Sequence, residues 1–182
     1  MHKIAHMTAA VLAAAACSAQ AADVIELWPE GAPNKSTITA AEETNAQGSI
    51  FNVTRARLEV SAPANPNGKA VIVIPGGGYG NLSMSTIEKS FVPFFHSQGF
   101  TTFVLKYRLP KGNPEVPLAD ANKAVETVRS LFGKYNLHTV GVMGASAGGH
   151  LAAMSSVSCK GAACPDFSVL VYPNITMMQE ES

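Results

Sequence analysis

Gly144-Ala145-Ser146-Ala147-Gly148 constrains this chain more than any other stretch. The run Val140-Gly-Val-Met143 before it is mostly apolar and partly β-branched, and a small-residue segment from Ala147 to about Ser156 follows it. That pattern predicts a strand, a sharp turn and a helix, with Ser146 at the tip. A serine hydroxyl is a weak nucleophile and must stand where a base can reach it. Gly144 and Gly148 leave room for close chain approach, which a Cβ would block. The helix aims its N-terminus, and so the Ala147 amide, at the oxygen that becomes negative in acyl transfer. The competing reading is an ordinary glycine-rich turn with a solvent-facing serine.

A second constraint lies upstream. Ala70-Val-Ile-Val-Ile74 is a continuous apolar run, the signature of a strand covered on both faces. It leads into Pro75-Gly76-Gly77-Gly78-Tyr79-Gly80. Consecutive glycines are costly in backbone entropy. Either the loop turns bare N–H groups toward an anion, or it is a tight turn that needs positive φ. Paired with the serine turn, the oxyanion-hole reading is favoured.

The remaining segments supply the scaffold. Val24 to Trp28 reads as a short strand or an extended arm, residues 34–50 as a surface loop, and Phe51 to Val60 as an edge strand. Ser85-Thr-Ile-Glu88 has the form of a capping box. The helix it opens should run to about Gln98, kink at Pro93 and stop at Gly99. Phe100 to Leu105 is the next strand. Pro117 opens a long helix with Leu118, Ala121, Val125, Val128, Leu131 and Phe132 on one stripe. Phe167 to Tyr172 is a last strand, apolar enough for an inner position. Strands alternating with helices predict an α/β fold: a mostly parallel sheet with right-handed crossovers and helices on both faces. Arg108 at a strand end and Asp120 in the next helix are placed to form an ion pair.

Composition narrows function. Charged residues make up 14% of the 182 and apolar residues 47%, so the chain is globular and not disordered. Lys+Arg and Asp+Glu both number 13, without basic or acidic runs, which argues against nucleic acid. Residues 1–21 read as a secretory signal peptide: Lys3, an apolar run from Met7 to Ala16, and Ala19-Gln20-Ala21 before Ala22. The apolar run is too short to span a bilayer. A lipidated Cys17 is the alternative, disfavoured by Ala14. The folded part is then 22–182, in the periplasm or outside the cell. There Cys159 and Cys164 could close a disulfide, or remain free thiols. A zinc site is disfavoured, since no second Cys pair or nearby His completes the ligands. No cofactor is indicated.

Four segments occur in order and spacing: Pro75-Gly-Gly-Gly-Tyr79, Leu105-Lys-Tyr-Arg-Leu-Pro110, Gly144-Ala-Ser-Ala-Gly-Gly-His-Leu-Ala152 and Pro165-Asp-Phe-Ser-Val-Leu-Val-Tyr-Pro173. With them the chain resembles the α/β-hydrolase serine esterases, in the branch near the hormone-sensitive-lipase-like enzymes. Within it, Trp28-Pro-Glu-Gly-Ala-Pro33 makes the chain look most like secreted acetyl-xylan-esterase or feruloyl-esterase-like proteins. The resemblance implies Ser146 as nucleophile and the amides of Gly77, Gly78 and Ala147 as oxyanion hole. It implies a small-molecule or carbohydrate ester as substrate. Many relatives have His-Gly-Gly-Gly where this chain has Pro75-Gly-Gly-Gly, losing a side chain that steadies the loop but not the amides.

A larger departure concerns the triad, whose order in this fold is Ser, then Asp or Glu, then His. After Ser146 the chain offers Asp166, Glu180, Glu181 and His150. His150 lies four positions along the same helix, so its side chain runs along the helix and not above the turn. His96 and His138 precede the serine and read as a helix-surface and a loop residue. The expectation is a chain that stops before the strands carrying the triad acid and histidine, with Ser146 poorly reactive. Two alternatives remain open: a prolyl-oligopeptidase-type peptidase, disfavoured by the tri-glycine loop, and a non-catalytic truncated remnant.

Overall fold

The computed structural model describes residues 23–175. The expected signal peptide, Cys17, Glu180 and Glu181 lie outside the described residues. In chain order the strands are β1 (Asp23–Glu26), β2 (Glu43–Thr44), β3 (Ser49–Phe51), β4 (Arg57–Ser61), β5 (Lys69–Ile74), β6 (Leu82–Ser83), β7 (Thr101–Lys106), β8 (Thr139–Ala145) and β9 (Ser168–Val171). The helices are α1 (Met84–Thr86), α2 (Val92–Ser97), α3 (Glu115–Ser130), α4 (Phe132–Tyr135) and α5 (Ala147–Ser158). A π turn, Ile87–Phe91, joins α1 to α2.

The main sheet has the order β1-β4-β7-β5-β8-β9. β5 pairs in parallel with β7 and β8, and β8 with β9. β1–β4 and β4–β7 are antiparallel. The route from β5 to β7 runs one way across the sheet, and the routes from β7 to β8 and from β8 to β9 run the other way. Right-handed crossovers therefore put α1 and α2 on one face and α3 and α5 on the other. The core confirms double cover: Ala70, Val71, Ile72, Val73 and Ile74 are all buried, and consecutive residues of a strand point to opposite faces. In the β5–β8 ladder Ile74 stands beside Gly144, so both chains leave the sheet at the same level.

Several expectations need correction. Residues 34–50 are not simply a loop, because β2, β3 and β6 form a separate antiparallel sheet. The run from Phe51 to Val60 is broken at Asn52, which takes φ 56°, and β4 is flanked on both sides and is not an edge. The capping box is not made. Ser85 falls inside α1, and Ser83, which precedes it, donates its hydroxyl to Asn81 Oδ1 at 3.2 Å. Pro93 has no N–H and its ring crowds the carbonyl four residues back, and here the chain widens into the π turn just ahead of it. The stop at Gly99, φ 79°, is as expected.

α3 begins at Glu115, whose N–H is taken by Asn113 Oδ1 at 3.1 Å, and Pro117 sits within its first turn, where no intrahelical donor is needed. Leu131 and Phe132 fall past its end and are half-buried. β9 is at the border of the sheet among the described residues, with Ser168, Val169 and Leu170 exposed. An apolar run reports a need for cover, not the number of neighbouring strands. The Arg108–Asp120 pair forms as expected, Nη2 to Oδ1 2.7 Å. Cys159 and Cys164 are joined as a disulfide, Cα–Cα 4.9 Å.

Candidate active site at the serine turn

Ser146 joins β8 to α5 with φ 55° and ψ −123°, a conformation normally left to glycine. Neighbouring chains hold it there. Its N–H donates to Val171 O at 3.0 Å, and its carbonyl accepts from the His150 N–H at 3.0 Å. The flanking glycines are sterically required. A Cβ on Gly144 would lie 2.1 Å from Gly148 O, and one on Gly148 would lie 2.2 Å from Ile74 O. The serine turn thus sits directly on the end of β5, where the glycine loop begins.

That loop is folded back on itself. Gly77 O accepts from the Gly80 N–H at 3.1 Å, the Asn81 N–H at 3.2 Å and Asn81 Nδ2 at 3.3 Å. The buried Tyr107 hydroxyl donates to Pro75 O at 3.1 Å. The loop therefore keeps side-chain supports although Pro75 replaces the expected histidine. At its far end the Tyr79 hydroxyl meets His150 Nδ1 at 2.7 Å. Gly77 O is occupied, but among the described residues neither the Gly77 nor the Gly78 N–H donates to any acceptor.

Gly76, Gly77, Gly78, Ser83, Ser146 and Tyr172 help to line one cleft of about 360 Å³. Ser146, Gly77 and Gly78, named from sequence for one site, are brought together. Ala147 is fully buried beneath them at the first position of α5, where its N–H has no intrahelical partner. A hydroxyl beside unpartnered backbone donors can place a tetrahedral oxyanion among those donors.

The other titratable groups lie elsewhere. His96 Nε2 contacts Ser61 O and Thr102 Oγ1, both at 3.1 Å, near the start of β7. His138 contacts Thr139 Oγ1 at 2.9 Å at the start of β8. Asp166 precedes β9 and accepts from Val140 N–H at 2.8 Å and Arg129 Nη2 at 2.7 Å. In parallel strands these starts are at the end of the sheet opposite Ser146. Among the described residues the Ser146 hydroxyl has no side-chain partner, so none of these is joined to it.

Burial pushes the Tyr79 phenol up to about 12. Burial, reinforced by Tyr79, pushes the Tyr107 phenol up as well. Both remain hydroxyls at any ordinary pH. Sequence reading missed Tyr79, Tyr107 and Asn81 as loop supports. The resemblance quoted both tyrosines, but nothing in their spacing shows that they meet the loop.

A parallel core with antiparallel strands at one border, a strained serine between strand and helix, and a glycine loop beside it define an α/β-hydrolase fold. A family model described as BD-FAE matches residues 58–169, more than half of the chain, and the chain belongs to that family. It is similar to an acetylxylan esterase of Xylanibacter ruminicola, with 36% identity over 130 residues, covering 70% of this chain and 27% of the relative. The chain thus spans about a quarter of the length of that curated relative. Among solved structures it is similar to an acetyl ester-xyloside bifunctional hydrolase from Caldicellulosiruptor lactoaceticus (TM-score 0.59, 27% identity, 87% of this chain and 59% of that one). It is also similar to a hyperthermophilic esterase from Pyrobaculum calidifontis (TM-score 0.58, 26% identity, 66% of this chain and 41% of that one). The esterase resemblance read from the motifs therefore holds.

Proposed function

We propose that the protein is a carboxylic-ester hydrolase acting on acylated carbohydrate through Ser146. The observation that carries this is the shared cleft: Ser146 and the Gly77 and Gly78 amides, unpartnered among the described residues, line the same space of about 360 Å³. In the reaction the Ser146 oxygen adds to the ester carbonyl and its proton leaves to a base. The carbonyl oxygen becomes an anion facing the Gly77, Gly78 and Ala147 N–H groups. Collapse expels the alcohol and leaves an acyl-serine for water to cleave. The described residues place no base against Ser146, so its unassisted acylation is slow. The names of the relatives support an acetylated sugar polymer as the substrate class.

We further infer export to an oxidising compartment, supported by the leader-like residues 1–21 and by the Cys159–Cys164 disulfide. Intact mass of exported protein tests it, and retention of residues 1–21 would refute it.

Peptide mapping after exposure to p-nitrophenyl acetate tests the serine reading. Acetyl should appear on Ser146, faster when free imidazole is added as a base, and not in Ser146→Ala. Equal acetylation of the Ser146→Ala variant, or acetyl only at other side chains, would overturn it.

A further inference from the structure

Three consecutive residues of the glycine loop have positive φ: Gly77 at 125°, Gly78 at 59° and Tyr79 at 61°. Glycine adopts this conformation freely, whereas a bulky L-residue does so only under restraint. Tyr79 is thus the anomalous member of the run, and its side chain shows what restrains it. The hydroxyl lies 2.7 Å from His150 Nδ1. The ring packs edge-to-face on His150, centroids 5.8 Å apart at 88°, and on Tyr107, 6.1 Å apart at 64°. Tyr107 in turn holds Pro75 O. One aromatic cluster therefore grips both ends of the loop, and the Gly77 and Gly78 amides hang between the two grips.

We propose that the Tyr79–His150 hydrogen bond is a positioning latch, fixing the Gly77 and Gly78 amides at a set distance from Ser146. His150 is suited to this because it stands one helical turn beyond Ser146 and its own N–H binds Ser146 O at 3.0 Å. The latch thus ties the donor loop to the helix that carries the serine, through side chains alone. In either tautomer one hydrogen bond joins the Tyr79 hydroxyl to Nδ1, so that nitrogen is engaged by Tyr79. Among the described residues neither ring nitrogen of His150 contacts the Ser146 hydroxyl. His150 is a positioning residue.

The proposal rests on Ser146 as the acylated residue, and its test separates the two. The variants are Tyr79→Phe, His150→Leu, the double variant, and His150→Asn, whose side-chain amide can accept or donate where Nδ1 did. In the wild type the Gly77 and Gly78 amides should show order parameters near the rigid value of about 0.85, falling below about 0.6 in Tyr79→Phe and His150→Leu. Imidazole-assisted acetylation of Ser146 should slow by between about tenfold and a hundredfold in both, with half-saturation by p-nitrophenyl acetate unchanged. The double variant should be no slower than either single variant, and His150→Asn should recover most of the rate. Loosened loop amides in a protein whose serine is never acetylated would keep the latch and remove the serine reading. Unchanged order parameters in Tyr79→Phe would overturn the latch, as would additive losses in the double variant.

Discussion

Asp120 receives Arg108 with both carboxylate oxygens, and both side chains are buried. Arg108 Nε lies 3.0 Å from each oxygen, Nη2 lies 2.7 Å from Oδ1, and the Arg108 N–H donates to Oδ2 at 2.9 Å. Trp28 Nε1 donates to Oδ1 at 2.7 Å, and Arg108 Nη1 reaches Pro33 O at 2.9 Å and Asn34 O at 3.1 Å. The end of β7, the first turns of α3 and the N-terminal arm are joined at this one carboxylate.

Removing that carboxylate leaves the buried guanidinium without a counter-charge, held only by the Pro33, Asn34 and Val116 carbonyls, and the Trp28 indole N–H without its acceptor. Asp120→Ala should lose about 3–5 kcal/mol of folding stability, read from urea unfolding. A loss under about 1 kcal/mol would mean water replaces the carboxylate at little cost.

Ser146 has a backbone that glycine would adopt more readily. Ser146→Gly should gain about 1 kcal/mol, the strain relieved less the entropy glycine adds to the unfolded chain. The same substitution should end acetylation at the site. A destabilised Ser146→Gly chain would show that the backbone at φ 55° is unstrained.

Gly148 and Gly133 make a paired test. Gly148→Ala drives a Cβ to 2.2 Å from Ile74 O, so the serine turn must lift off β5 and stability should fall by several kcal/mol, about 3 or more. A methyl group on Gly133 would meet nothing within 4 Å, and the residue has no positive φ, so Gly133→Ala should be neutral or stabilising by up to about 1 kcal/mol. Thermal unfolding of both reads the contrast.

Asp166 gives the acid limb of stability a defined sign. Partial burial pushes its carboxyl up, but the Arg129 guanidinium and the Val140 N–H together hold it below the ordinary value of 3.8. With the folded value depressed, the contribution is present above the unfolded value and is lost as pH falls through the folded one. Asp166→Asn should lower stability at neutral pH and flatten the decline below about pH 4. The carboxylate is 38% exposed, so the effect should be well under about 1 kcal/mol. An unaltered acid limb in the variant would refute the assignment.

Much of the site was legible because the elements that make it are long or sterically specific. The run Ala70 to Ile74, the glycines around Ser146 and the stripe on α3 each carry a periodic or spacing signal. The Arg108–Asp120 pair could be placed because both residues sit at the ends of such elements. The small sheet of β2, β3 and β6 could not, since two- and three-residue strands carry no periodicity. The π turn was hidden because Pro93 announces a disturbance without saying how the chain absorbs it. Tyr79 and His150 are 71 positions apart, and only the pairing of β5 with β8 brings them together.

That pairing works as a ruler. Ile74 stands opposite Gly144, so the glycine loop and the serine turn start from the same rung of one ladder. Strand alignment thus sets where the two loops start, and the contacts of Gly77 O and Tyr79 hold the glycine loop beyond that point. A residue inserted between Tyr79 and Leu82 disturbs the Gly80 and Asn81 bonds to Gly77 O but leaves the Ile74–Gly144 rung in place. A residue inserted within β5 or β8 shifts one loop by a rung and turns every following side chain to the opposite face. The starting separation of the two loops survives changes beyond the strands for as long as the count of rungs is kept.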